Sequence, residues 1–256
     1  MIAGWDDGDL LEEALLGARR SYVTVPDLRV IERPGWLQIV TPSFRNGSFN
    51  EVSLSVLDDT EADPIIDRTI DEYRRLGIRF RWSVTPESKP DDLADRLARR
   101  GLEASHVRAM VRATASLPPY PEHVHVEEVD AQTVGVYTRV TAEGWGGDHA
   151  ALAAVHDVVL RNADRRYRLY LASYRGEPAG AAGYVAFARS AYLLGAVVLP
   201  RFRRLGVYRG LVAARLRDAA ECGVTLATSQ AMEATSAPLL ERMGFQTVCR
   251  YVVFRG

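Results

Sequence analysis

The chain has 256 residues, 47% of them apolar and 25% charged, with 32 basic side chains against 33 acidic ones. That length suits one large domain or two modest ones, and the apolar share excludes general disorder. The near-neutral balance argues against a protein built to neutralise nucleic acid. No apolar run nears the roughly 18 residues that a membrane span needs. The first residues, Met1-Ile2-Ala3-Gly4-Trp5-Asp6-Asp7, hold neither the basic nor the apolar region of a secretion signal. Cys222 and Cys249 make no disulfide framework and no metal spacing. The expectation is a cytoplasmic protein, monomer or homodimer, with no metal, membrane or nucleic-acid partner.

Asp9 to Arg20 reads as an amphipathic helix. Trp36–Thr41 and Glu51–Leu57 read as strands around the turn cluster Asn46-Gly47-Ser48. Ala62–Leu76 places Ile65, Ile66, Ile70 and Tyr73 at helical spacing, with Gly77 as the stop. A strand over Arg79–Val84, a helix over Pro90–Arg100 and a strand over Ser105–Thr114 complete this half. Pro118, Pro119 and Pro121 then forbid helix or central strand. The expected division is therefore residues 1–115, a linker at 116–123 and residues 124–256.

The second half repeats the order. A strand over Val124–Val129 precedes helices over Gln132–Glu143 and His149–Asn162. A hairpin follows, Tyr167–Tyr174 with Ala179–Ala188, and then a strand over Ser190–Val198. A helix over Gly206–Glu221, a strand over Thr225–Ser229, a helix over Ser236–Met243 and a strand over Phe245–Phe254 close the chain. The shared order of elements, ending in Arg100-Gly101-Leu102 and Met243-Gly244-Phe245, reads as a structural repeat.

The segment that carries chemistry is Leu199-Pro200-Arg201-Phe202-Arg203-Arg204-Leu205-Gly206-Val207-Tyr208-Arg209. It leaves a buried strand through an arginine-rich turn and enters a long helix, aiming free N–H groups and the positive helix end at one small volume. Such a mouth suits an anion, a pyrophosphate above all. Gly206 lets the backbone approach closely, Arg203, Arg204 and Arg209 add charge, and Arg201 reads as a surface residue. Neither a Gly-Lys-Ser/Thr loop nor a three-glycine dinucleotide fingerprint is present.

Arg203-Arg204-Leu205-Gly206-Val207-Tyr208 resembles the Gln/Arg-x-x-Gly-x-Gly/Ala loop of the GNAT acyltransferase superfamily, with Tyr208 in place of the last small residue. Ser236–Phe245 is similar to that family's helix followed by Gly-Phe, and Gly176–Gly180 to its central hairpin. The resemblance spans Val124 to the C-terminus. It implies an α/β fold of two tandem GNAT-like domains, each a mostly antiparallel sheet flanked by helices. It also implies acetyl-CoA, or another acyl-CoA, held at the loop (Arg203, Arg204, Leu205, Gly206, Val207, Tyr208) and along an open strand edge at Val197 and Val198. In the first half the corresponding stretch is Leu57-Asp58-Asp59-Thr60-Glu61-Ala62-Asp63, whose carboxylates would repel a pyrophosphate. That half reads as a degenerate copy without a cofactor, packed on the active one.

Direct transfer to a small-molecule amine needs a base, a polarised carbonyl and a proton for the thiolate. The Val198 N–H suits the carbonyl. No acidic residue lies in Ser190–Val198, so the base falls to the segment Ala142–His149: Glu143 first, then Asp148 or His149, with Glu233 a further candidate. The tyrosine common to the family is replaced by Leu240, leaving Tyr208 or Tyr192 as acid. Tyr208 is equally suited to contacting the cofactor. Trp145, Asp148 and Tyr192 are the expected substrate contacts, Trp145 reading equally as a mobile wall or a buried anchor. His106, His123, His125 and His156 read as ordinary surface or core residues. A module that binds acyl-CoA without turnover, or one that acylates a protein amine or a hydroxyl, remains as an alternative.

Overall fold

The computed structural model describes residues 2, 4–47, 49–162 and 166–256. Ser48 of the expected turn, and Met1 and Ala3 of the N-terminal segment, lie outside them. Helix α1 (Asp7–Arg20) starts on the Asp6 carboxylate, which accepts from the Asp9 N–H, and ends on Arg19 and Arg20, so each end carries the charge its dipole favours. A hairpin of β1 (Arg29–Arg33) and β2 (Trp36–Val40) turns at Gly35, whose φ is 73°. Strand β1 escapes a hydrophobic reading because Arg-Val-Ile-Glu-Arg is an edge, where charge prevents further pairing. Then come β3 (Glu51–Ser55), α2 (Asp59–Leu76), β4 (Arg81–Val84), α3 (Leu93–Arg99) and β5 (Glu103–Ala113).

The second half runs β6 (Val124–Glu128), α4 (Val134–Trp145), α5 (His149–Arg161), β7 (Tyr167–Tyr174) and β8 (Glu177–Ala186). Arg175 and Gly176, both at positive φ, make the tight turn of the β7–β8 hairpin. Next are β9 (Ser190–Tyr192), β10 (Ala196–Val198), α6 (Val207–Glu221), β11 (Leu226–Met232), α7 (Ser236–Arg242) and β12 (Gln246–Arg255).

All twelve strands join one mixed sheet, in the order β1-β2-β3-β4-β12-β5-β11-β9-β8-β7-β6, with β10 on β8. The two halves are thus tandem but not separate. The last strand of the second half, β12, lies between β4 and β5 of the first. Reciprocally, β5 lies between β12 and β11 of the second. Helices α1, α4 and α5 cover one face; α2, α3, α6 and α7 cover the other. Leu10, Ala14 and Leu15 of α1 pack on Val107, Ala109, Val111 and Tyr251. On the opposite face Trp82 and Phe254, register partners across the halves, sit in one core with Ile66, Leu93 and Leu97.

Residues 124–256 produced alone would leave β11 and β12 without the strand between them. We expect no cooperative thermal transition by circular dichroism from that fragment, and recovery of the transition on co-expression with residues 1–115. A cooperative melt of the fragment alone would contradict the exchange.

Candidate functional site

The strand expected over Ser190–Val198 is broken. Its first part, β9, pairs in parallel with β11 up to Tyr192↔Thr228, and the Leu193 N–H donates to the Thr228 carbonyl at 2.9 Å. At Leu193–Gly195 the chain bulges, and the Gly183 N–H is shared between the Leu194 and Gly195 carbonyls at 2.9 and 3.2 Å. Beyond the bulge β10 follows β8 alone, so β10 and β11 part. The Leu199 N–H donates to the Ala179 carbonyl at 2.9 Å. Ladder alternation therefore turns the N–H and C=O of Val198 away from β8, into the gap.

Arg215 holds this break open from below. It is only 1% exposed on α6 and donates from Nη1 to the Gly183 carbonyl at 3.0 Å and, more weakly, to Leu194 at 3.4 Å. Its Nε donates to the Leu211 carbonyl at 2.9 Å. Burial pulls its pKa down, and its charge is directed at carbonyls that a broken ladder leaves poorly matched. Sequence reading missed this residue. The available signal was an arginine within the apolar stripe of Leu211, Val212 and Leu216.

The mouth of α6 adjoins the gap. A 3₁₀ turn at Pro200–Phe202 leads through Arg203 to Arg204 (φ 66°) and Gly206 (φ 86°). No side chain caps α6 and no acid lies in its first turn, whereas aspartates cap α1, α2 and α5. The N–H groups of Val207, Tyr208 and Arg209 are thus the orphans of a helix start, ringed by the exposed Arg203, Arg204 and Arg209. Arg203 Nε leans back to the Val198 carbonyl at 3.4 Å. Gly206 is demanded twice, by its φ and by Pro121 of the linker, which would stand 3.0 Å from a Cβ there.

The corresponding place in the first half is closed. Asp58 caps α2 through the Thr60 N–H at 3.0 Å, and Asp59 and Asp63 are paired with Arg96. The gap between β3 and β4 is filled by the chain itself: the Lys89 N–H donates to the Ser55 carbonyl at 3.0 Å, and the Leu57 N–H to the Lys89 carbonyl at 3.1 Å.

Around the open gap, Gly144 packs on Val197, and the Trp145 ring lies over Gly195, its Cη2 only 2.8 Å from where a Cβ would be. Trp145 is 53% exposed, which fits a wall and not a buried anchor. Glu143 pairs with Arg201 at 3.0 Å, both exposed. Asp148 caps α5, accepting from the Ala150 and Ala151 N–H groups at 2.8 and 3.1 Å, and His149 is its exposed neighbour. Half-buried Tyr208 lies two turns before Arg215 on α6, and burial raises its pKa. Tyr192 is buried with its ring against Gly17 of α1, and burial raises its pKa also. Leu240 is buried. Glu233 is bound to Arg108 and Arg250, and the Arg108 hydrogen bond keeps it below the usual carboxylate range. Among the described residues no cluster suits a metal, and no helix is long and apolar enough to cross a membrane.

His156 sits in the core, its Nδ1 2.8 Å from the Thr138 hydroxyl, and burial lowers its pKa to about 4. The unfolded chain takes up this proton near pH 6.5 and the folded one only near 4, so stability should fall as pH drops through that window, by roughly 3 kcal/mol in all. Urea titrations at pH 7 and pH 4.5 should show a smaller difference for His156→Gln than for the wild type. An equal difference would refute the assignment.

Residues 133–245 match the model of the acetyltransferase (GNAT) family. No curated protein sequence is significantly similar to the chain. Among solved structures, a GCN5-related N-acetyltransferase from Kribbella flavida is 16% identical, with TM-score 0.69 over 94% of each chain. A conserved protein of unknown function from Staphylococcus epidermidis is 14% identical, with TM-score 0.70 over 90% of this chain and 94% of that one. A tandem GNAT protein from the clavulanic acid biosynthesis pathway is 13% identical, with TM-score 0.59 over 95% of this chain and 86% of that one.

Proposed function

Given that residues 133–245 belong to the acetyltransferase (GNAT) family and that the whole chain has a tandem GNAT fold, we propose an acyl-CoA-dependent N-acyltransferase acting on a small-molecule amine. Residues 124–256 are the catalytic copy, and residues 1–115 its partner without a cofactor site. The observation that carries this reading is the pairing of an open strand edge at Val198 with the uncapped, arginine-ringed start of α6. Those residues fit acetyl-CoA: orphan N–H groups and Arg203, Arg204 and Arg209 for the diphosphate, and main-chain groups of β10 for the amide-bearing arm. The filled gap and capped α2 of the first half fit no such ligand.

When bound, acetyl-CoA supplies an acyl group activated as a thioester. The Val198 N–H offers a donor to a carbonyl oxygen in the gap. Tyr208, held protonated by burial, is the proton donor to a departing thiolate. Glu143 takes the proton of the amine, with His149 beside it as the alternative, both on the segment that carries Trp145. Leu240 and the ion-paired Glu233 favour a second reading, a module that binds acyl-CoA without turnover.

Calorimetry with coenzyme A and thiol release with an amine panel separate the two. Arg203→Ala should weaken coenzyme A by about tenfold or more, while Asp59→Asn in the closed half should leave it unchanged; equal loss from both would refute a single site. Tyr208→Phe should lower kcat by ~10²-fold with coenzyme A affinity retained. Binding with no thiol released for any amine would favour the module.

A further inference from the structure

Tyr192 projects from the face of the sheet that carries α1. On that same face the first half presents two charged residues, Glu51 at the start of β3 and Arg81 at the start of β4, which are register partners. Glu51 is buried and both of its oxygens are engaged: Oε1 accepts from the Ser83 hydroxyl at 2.7 Å, and Oε2 lies 2.7 Å from Arg81 Nη2. Arg81 differs. Its side chain keeps 45% of its surface accessible; the neighbouring Glu51 carboxylate raises its pKa against the opposing effect of burial, and its charge acts on the hydroxyls of Tyr192 and Tyr251. Arg81 therefore stands on the face that carries α1 with part of its guanidinium open. Tyr192 itself lies at the bulge, because Leu193 follows it directly.

Among the described residues Glu51 is the one side chain ion-paired with Arg81. The remaining edge of its planar fork is open. Arg96, by comparison, is saturated by Asp59, Asp63 and Asp92. The neighbouring hydroxyls are neutral, since burial keeps Tyr192 and Tyr251 protonated, and Tyr251 donates to Gln230 Oε1 at 2.8 Å. A cationic ligand would meet a buried carboxylate already satisfied and an exposed cation. An anionic one would meet two or more free N–H donors.

We propose that Arg81, supplied by the first half, binds a carboxylate of the acceptor, so that the substrate class is an amine that also carries a carboxylate, such as an amino acid, and not a polycationic amine. This rests on the acyl-transfer reading above, and the neutralising role of Glu51 keeps Arg81 in place without competing for the ligand.

The test uses the full chain with saturating acetyl-CoA and matched pairs of acceptors: α-amino acids with apolar, aromatic, acidic and basic side chains, each beside the amine that lacks its carboxylate. Coenzyme A affinity is measured separately by calorimetry. For at least one pair, kcat/KM should favour the carboxylated member by tenfold or more, chiefly through KM. That preference should fall to near unity in Arg81→Gln, with coenzyme A affinity unchanged. Because Arg81→Gln leaves Glu51 buried and unpaired, the double variant Glu51→Gln/Arg81→Gln removes the pair together, and Arg81→Lys keeps the charge but not the fork. Both should lose most of the preference while melting like the wild type. Equal or better transfer to amines without a carboxylate, a preference that survives in all three variants, or no carboxylated acceptor among the pairs would each overturn the proposal. Failure of the wild type to bind coenzyme A would instead overturn the enzyme reading.

Discussion

The antiparallel pairing of β5 with β12 is the constraint on which the rest depends. It joins the final strand of one half to the final strand of the other, with Tyr251 opposite Val107 and Val253 opposite Ser105. Because each strand also pairs outward with its neighbour's half, through β4 and β11, neither sheet is complete without the other. This continuity fixes the faces. Once Val107 and Tyr251 point at α1, alternation along each strand decides that Tyr192, Arg81 and Glu51 share that side. The site is therefore shaped by residues far apart in sequence before any ligand is considered.

The two halves treat the same local problem in opposite ways. Each has a strand pair that starts parallel and then diverges, β9 with β11 and β3 with β4. In the first half the divergence is sealed by the backbone of residues 85–89, and the adjoining helix end is satisfied by Asp58. Among the described residues of the second half neither seal is present, and a buried arginine stabilises the carbonyls at the point of divergence. Leaving main-chain donors unpaired is costly in a folded protein, so the open edge and bare helix start of one half, beside the closed versions in the other, mark where binding energy is held in reserve.

Much of the fold was legible because it is local. The helices over 62–76, 149–162 and 206–221 follow from apolar spacing and their stops, and Gly77 at φ 65° ends α2 where the sequence places it. The prolines of the linker and the arginine-glycine turn are punctuation of the same kind. What was not legible is non-local. The strand exchange leaves no mark on hydrophobic patterning, since β5 and β12 read as ordinary half-buried strands wherever they pair. Strand β1 hid behind its charges, and the break after Tyr192 hid inside an apolar run, because Leu193 and Leu194 look like strand whether or not they are paired. Arg81 and Glu51 were silent for a similar reason: at a strand start, an arginine and a glutamate look like solvated ends until the sheet sets them on the same face as Tyr192. Of the candidate residues, those of the loop cluster by chain proximity alone, whereas Trp145 needed the bulge, over which its ring lies, and Tyr192 faces α1 on the side of the sheet away from α6.

The reciprocal strand loan also bears on how such a chain changes over generations. One half of a tandem chain would ordinarily be free to decay or be deleted. Here deletion of residues 1–115 would strip the rest of the sheet of a central strand, so that half is kept for mechanical reasons while its inward surface stays free to drift. Selection can then rewrite that surface without touching the start of α6, and the first half becomes the part of the molecule in which novelty is least constrained.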